Sequence, residues 1–332
     1  MTPAFDFLTV TFRTELPMLR LQARSMARFL DPGCVNRILV VLCDQDEAAC
    51  GQAVEAIRGE WGGLAGKVEI LPASSLMTTR PRGPLAWLER TWVAGPRCAW
   101  RPLRDRALGR KPKIYGWKSN SGWLLQQACK LLAARVASGS HVVILDTKNF
   151  FLRPVGAADF VDAEGRPRVE MSSLSPNMRK WAEASAKRMR YKLPEGVEIP
   201  LSLTPTVHRR EEMVAAVDKI EARVGLLECF FARRSAKSTE FMLLYAAMEG
   251  GSPGWFARFA PSPSPVGRVI RPELLDEVIA RSETENRAMM ALHRKHFFRL
   301  TAAQKDSVLR LLQRCGLTKP GETAADIFGE DR

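Results

Sequence analysis

The sequence predicts an α/β protein: an open, mostly parallel sheet flanked by helices, with a helical carboxyl-terminal part. Three observations carry this. Apolar strands alternate with helical patterns through the first 150 residues, the rhythm of parallel β-α-β units. The strands are short and nearly continuous in apolar residues, as expected where helices cover both faces of a sheet. Several of them end on a polar or acidic residue, and in open sheets of this kind ligands bind at the carboxyl ends of the strands.

The elements follow in order. Residues 5–11 form the first strand, and Leu19, Ala23, Met26 and Leu30 then recur at i, i+4, i+7 and i+11, one face of a helix. RILVVLC, residues 37–43, is a strand ending at Asp44, followed by a helix at 52–61 and a strand at 67–71. The rhythm then breaks over 72–116, which is rich in Pro, Arg and Trp and has no period: a functional lid or a basic surface excursion. Trp87, Trp92 and Trp100 favour partial order, because disordered segments are poor in aromatics. Order resumes with a helix over 121–136, capped by Ser121 and packed through Leu124, Ala128 and Leu131. Trp123, Gln127 and Lys130 sit beside that stripe at i, i+4 and i+7 and suggest a lined cleft. HVVILDTKNFFLRP, residues 141–154, is a strand that delivers Asp146 to its carboxyl end.

Beyond 150 the pattern is less regular. It gives a strand at 168–171, a basic helix at 177–191, a strand at 206–208 and a helix at 210–223. Ser238-Thr239-Glu240 opens another helix, 250–265 reads as a Gly/Pro/Ser connector, and Thr301 caps a last amphipathic helix stopped by Gly316. This divides the chain into a half at 1–154 carrying the basic insertion 72–116, a half at 155–317, and a flexible acidic tail at 318–332.

Composition narrows the classes. At 46% hydrophobic and 26% charged residues the chain reads as a globular protein, and no apolar run approaches the roughly 20 residues of a membrane span. MTPAFDFLTVTF lacks a basic leader, and the seven cysteines are scattered without a C-x-x-C pair, so a reducing cytoplasm is the expected location. The net charge is +14, and 72–118 alone carries 11 Lys/Arg against Glu89 and Asp105. Such a field attracts anions: nucleic acid, lipid headgroups, or sugar and nucleotide phosphates. There is no G-x-G-x-x-G, H-E-x-x-H or G-x-S-x-G, and GGLAGKV has the wrong glycine spacing for a phosphate loop. What remains is a set of strand-end polar residues: Thr11-Phe12-Arg13, Asp44, and Asp146-Thr147-Lys148-Asn149.

The order strand, helix, strand ending in Asp, G-W-x-x-x-x-G-W-L-x-Q-Q, ILDTKNFFLRP, TPTVHRREEM, STEFMLLY and a late HRKHF resembles the GT-A-fold glycosyltransferases. Within them it is similar to a bacterial, uncharacterised group with D-x-K in place of D-x-D. The resemblance covers about 5–315 and implies a GT-A-like, Rossmann-type sheet. It also implies a nucleotide-sugar donor bound across the amino-terminal half, and a glycan or lipid-linked acceptor bound by the second half. On it Asp146 is the first aspartate of a Mg2+ or Mn2+ site and His293 the late histidine. Lys148 replaces the second carboxylate, which weakens a site for a hard cation. Lys148, with Lys130, could instead neutralise the leaving diphosphate directly, or it could merely pair with Asp146. Glu240 falls where the family places an acid facing the acceptor, although its place in the first helical turn also suits the macrodipole. Thr11, Arg13, Asp44, Trp117, Gln127, Lys130 and Asn149 are the donor-binding candidates. The basic segment could also rest on an anionic membrane surface at the inner face. The rivals are a nucleic-acid-binding module, against which stands the lack of any recognised RNA- or DNA-binding motif, and a non-catalytic relative that binds a partner or glycan.

Overall fold

The computed structural model describes residues 3–77, 103–104, 106–109, 122–232, 238–249 and 255–329. Most of the basic segment, with Trp87, Trp92, Trp100, Trp117 and the Ser121 cap, lies outside the described residues.

The strands are β1 (Phe5–Thr11), β2 (Val35–Leu42), β3 (Val68–Pro72), β4 (His141–Asp146) and β5 (Asn149–Phe151). They continue with β6 (Arg168–Val169), β7 (Met171–Ser173), β8 (Glu198–Pro200), β9 (Thr206–Arg209), β10 (Ala260–Pro261), β11 (Val266–Val269) and β12 (Met289–Leu292). The main sheet has the order β3-β2-β1-β4-β9, parallel except for β9, which runs antiparallel to β4. The chain therefore builds outward from β1 through β2 and β3, then returns to place β4 on the other flank of β1. The order reverses between β1 and β4, and the carboxyl ends at such a reversal open a crevice.

Strand periodicity makes this sheet the middle of three layers. Phe5 and Phe7 of β1, with Val40 and Val143, face a core completed by Leu19, Ala23 and Met26 of the helix Leu16–Phe29. Leu8 and Val10, with Val41 and Ile144, face the other core, built by the helices Gly122–Leu132, Arg210–Val224 and Glu240–Glu249. Each fully buried apolar side chain of this size stabilises the fold by roughly 1.5–3 kcal/mol relative to exposure, which favours apolar residues on both faces of these strands.

After Asp146 the two-residue turn Thr147-Lys148 passes the chain into a second sheet of order β11-β12-β5. This sheet packs on the helices Leu275–Thr284, Ala302–Arg314 and Ala324–Phe328. Lys148 thus stands at the junction of two sheets.

Several expectations change. The boundary at 154 divides the sequence but no structural body, since β9 completes the first sheet and β5 belongs to the second. The helix expected at 52–61 starts earlier, at Glu47, where Asp46 accepts a hydrogen bond from Ala49 N, and gives way to a 3-10 stretch after Ala56. The connector at 250–265 contains a short helix, Trp255–Arg258, and β10. The tail expected to be flexible is packed through residue 329. Ile327 and Phe328 are buried, Phe328 stacks on Phe297 at 3.7 Å between ring centroids, and Arg24 pairs with both Glu322 and Glu60. Two apolar residues and one acid opposite a buried arginine suffice to anchor a segment whose composition looks solvated.

Candidate active site

Asp146, the last residue of β4, is the hub. Lys130 Nζ donates to its Oδ1 at 2.7 Å, while Lys148 Nζ and Thr204 Oγ1 reach Oδ2, each at 2.8 Å. Lys130 also donates to Glu240 Oε1 at 3.1 Å, from the first turn of the helix Glu240–Glu249, and lies over the Phe241 ring at 5.5 Å. Two helices and a strand end therefore converge on one array of two ammonium groups and two carboxylates. The Lys130 side chain is only 7% exposed, whereas those of Lys148 and Asp146 keep 28% and 24%. Lys148 is the cation that a ligand can reach.

The backbone beneath the array is fixed from behind. Gln22 Nε2 donates to the carbonyls of Asp146 (2.8 Å) and Asn149 (3.0 Å), and Gln22 Oε1 accepts from Thr9 Oγ1. Asn149 Oδ1 accepts from Asp146 N at 2.8 Å, and Thr147 Oγ1 donates to Glu15 Oε2 at 2.9 Å. Neither Gln22 nor Thr204 figures among the sequence candidates. Gln22 had a signal, since it lies three residues after Leu19 and four before Met26, on the apolar face itself. Thr204, in an irregular loop 58 residues from Asp146, had none.

Electrostatics follow from this geometry. Burial opposes the charge on Asp146, but Lys130 and Lys148 outweigh it and hold the carboxyl well below its ordinary range. Burial likewise opposes the charge on Lys130, and Asp146 with Glu240 overcomes it, so this ammonium is held above its usual pKa. A buried ion pair is costly to desolvate, and breaking one partner costs more than the pair contributes.

The second strand-end acid forms a separate cluster. Asp44 is fully buried and accepts from Arg13 N (2.9 Å), Arg13 Nε (3.1 Å) and Asp46 N (3.0 Å). Burial works to raise its pKa, but these two backbone N–H groups and the guanidinium bring it below the usual value. Asp44 is thus the anchor of the β1 exit loop, leaving Arg13, 48% exposed, as the side chain facing outward. Thr11 is buried nearby in sequence.

The remaining candidates divide. The helix Gly122–Leu132 is turned so that Gln127 and Lys130 are buried with Leu125, Ala128 and Leu131, while Trp123 is 59% exposed. The expected Trp123-Gln127-Lys130 stripe keeps one face but is split along its length, because burial rises along the helix: Trp123 sits in the exposed first turn and Lys130 in the buried last one, beside Asp146. Gln127 has both amide atoms buried with no hydrogen-bond partner among the described residues. His293 has a local role. It caps the short helix Arg294–Phe297 by accepting from Lys295 N at 3.1 Å, and burial, then Lys148, Lys295 and His296, push its pKa down to about 4.

The donor set does not fit a hard divalent cation. Such an ion needs several oxygen ligands, yet both oxygens of Asp146 already accept from ammonium groups, and the described residues contain no cluster of three His, Cys, Asp or Glu able to hold a metal.

Fold and site together define an α/β protein with an open, mostly parallel sheet and a charged array at its switch point. The chain belongs to a family of unknown function, DUF6492, whose profile matches residues 11–260. No curated protein matches it. Among solved structures it is similar to the apo form of the WbbM bifunctional glycosyltransferase, with 7% identity and a TM-score of 0.47 over 88% of this chain and 46% of that one. It is also similar to apo mouse xyloside xylosyltransferase 1, with 9% identity and a TM-score of 0.45 over 88% and 99% of the two chains. A third is the apo form of the glycosyltransferase GlyE of Streptococcus pneumoniae TIGR4, with 7% identity and a TM-score of 0.41 over 96% and 65%. The chain spans less than half of the WbbM chain. Among the described residues no helix is long and apolar enough to cross a membrane.

Proposed function

We propose that this protein is a glycosyltransferase that moves a sugar from a nucleotide-sugar donor to a glycan or lipid-linked polysaccharide acceptor. The observation that supports it most is the Lys130-Asp146-Lys148-Glu240 array at the point where the strand order reverses. In this reading the donor lies in the crevice between the ends of β1 and β4, with Arg13 at its rim. Departure of the nucleoside diphosphate develops negative charge, which Lys148 meets as a preorganised cation. Asp146, held ionised, keeps both lysines in place and moves no proton. Glu240 sits within the same array and serves as the base or the orienting acceptor for the attacking hydroxyl. The ammonium groups occupy the role that a metal ion has in D-x-D enzymes, and no step is routed through a metal. Where the acceptor is lipid-linked, the basic segment 72–118 would favour an anionic membrane surface.

A second reading is a non-catalytic sugar-nucleotide-binding relative, favoured by the same saturation of Asp146. Thermal melting with UDP-, GDP-, CMP- and dTDP-sugars, each with EDTA or Mn2+, tests both. One donor class should raise Tm equally under the two conditions. Release of the free nucleotide, a nucleoside diphosphate or CMP according to the donor, then separates enzyme from binder, and a panel without any shift would sink both readings.

A further inference from the structure

A cavity of about 210 Å3 shares Lys148 and Thr204 with the Asp146 array, and the rest of its lining comes from other elements. Its polar lining is Lys148, Thr204, Arg268, His293, Lys295 and His296, and no carboxylate among the described residues lines it. Arg268 Nη1 is held by Glu170 at 2.7 Å and Ser264 at 2.8 Å, which fixes the guanidinium while Nε stays buried with no partner among the described residues. His296 Nδ1 is likewise buried without a partner. The short helix that carries Lys295 and His296 is braced from below, by Arg294 Nε donating to Phe328 O at 2.9 Å and by the Phe297–Phe328 stack. Lys148, Arg268 and Lys295 make the lining cationic, the Arg268 guanidinium is held in place, and Arg268 Nε and His296 Nδ1 have no partner among the described residues; together these describe a site for a compact anion. At this size it holds a group rather than a whole substrate, since complete ligand sites run to roughly 300–1,000 Å3. A tetrahedral phosphoryl group, with several acceptor oxygens and up to two charges, matches that donor set.

We propose that this cavity receives a phosphoryl group carried by the acceptor, so that the acceptor is a phosphorylated glycan or lipid-linked sugar. The word acceptor rests on the transfer reading above. The assignment to it follows from placement: the walls come from β11, β12 and the 293–296 turn of the second sheet, whereas the donor crevice lies at the ends of β1 and β4. Lys148 and Thr204, both partners of Asp146 Oδ2, are common to this cavity and the Asp146 array, and Lys148 would stand between the two anions.

Calorimetric titration of inorganic phosphate into the full-length protein tests this, alone and with saturating UDP or GDP. Phosphate should bind, and should remain bound when the nucleoside diphosphate is present. Lys295→Glu and His296→Ala, with melting curves confirming that they fold, should weaken it at least tenfold. Arg310→Glu, an exposed charge reversal outside the cavity, should leave it within twofold. Displacement of phosphate by the nucleoside diphosphate would hand the cavity to the donor and overturn the proposal. So would undetectable phosphate binding, or equal weakening by Arg310→Glu. If phosphate binds but none of the UDP-, GDP-, CMP- and dTDP-sugars does, the transfer reading fails separately and takes the acceptor assignment with it.

Discussion

Two aspartates stand at the ends of two parallel strands of the same sheet, and they do opposite things. Asp44 at the end of β2 spends its oxygens on two backbone N–H groups and one arginine, so it shapes a loop. Asp146 at the end of β4 accepts from two lysines and a threonine, all from other elements, so it assembles charge. The lesson is that a strand-end carboxylate is functional or architectural according to what it holds. Backbone partners fix a conformation, while side-chain cations create a field that a ligand can share.

The largest effect should come from breaking the second cluster. Asp146→Asn leaves Lys130 buried with Glu240 alone and Lys148 without its anion, and should cost on the order of 3 kcal/mol in urea unfolding. A loss under 1 kcal/mol would mean the array is looser than its distances state.

Acid should then discriminate the two sites. Both carboxyls have folded pKa values below their unfolded ones, so each contributes stability that is complete above about pH 4 and drains away as pH falls through the folded value. Asp146 is held further down, so Asp146→Asn should flatten the acid limb of a stability–pH curve more than Asp44→Asn does. Equal flattening would erase the distinction.

Asp44→Asn should have the smallest effect, about 1 kcal/mol, because an amide oxygen still accepts from Arg13 N and the lost guanidinium pair is half exposed. Its signature should be a changed proteolysis pattern around 12–15 rather than a changed Tm.

The same contrast explains what the sequence disclosed. β2 and β4 were legible because strands buried on both faces leave nearly unbroken apolar runs, as RILVV and VVIL do, and both aspartates stood out as the residues that follow or end them. The Thr301 cap was legible because its signal is local: Thr301 and Gln304 bond one another's backbone N–H. The second sheet was not. VGRV and MMAL are four-residue runs, and Gly267 interrupts the first because a Cβ there would meet Ser282 Oγ at 2.0 Å. Nor was the burial of Lys130, which spacing alone placed at the edge of a cleft. A lysine enters a core only when two acids distant in sequence meet it, and Glu240 lies 110 residues away.

The central claim, that ammonium groups serve where a metal would, is tested most directly by donor turnover in wild type and Lys148→Asp, each with EDTA or Mn2+. The account predicts wild-type turnover unchanged by EDTA, and a Lys148→Asp variant about 100-fold slower in EDTA and partly rescued by Mn2+. Wild-type turnover that collapses in EDTA and returns with Mn2+ would contradict it.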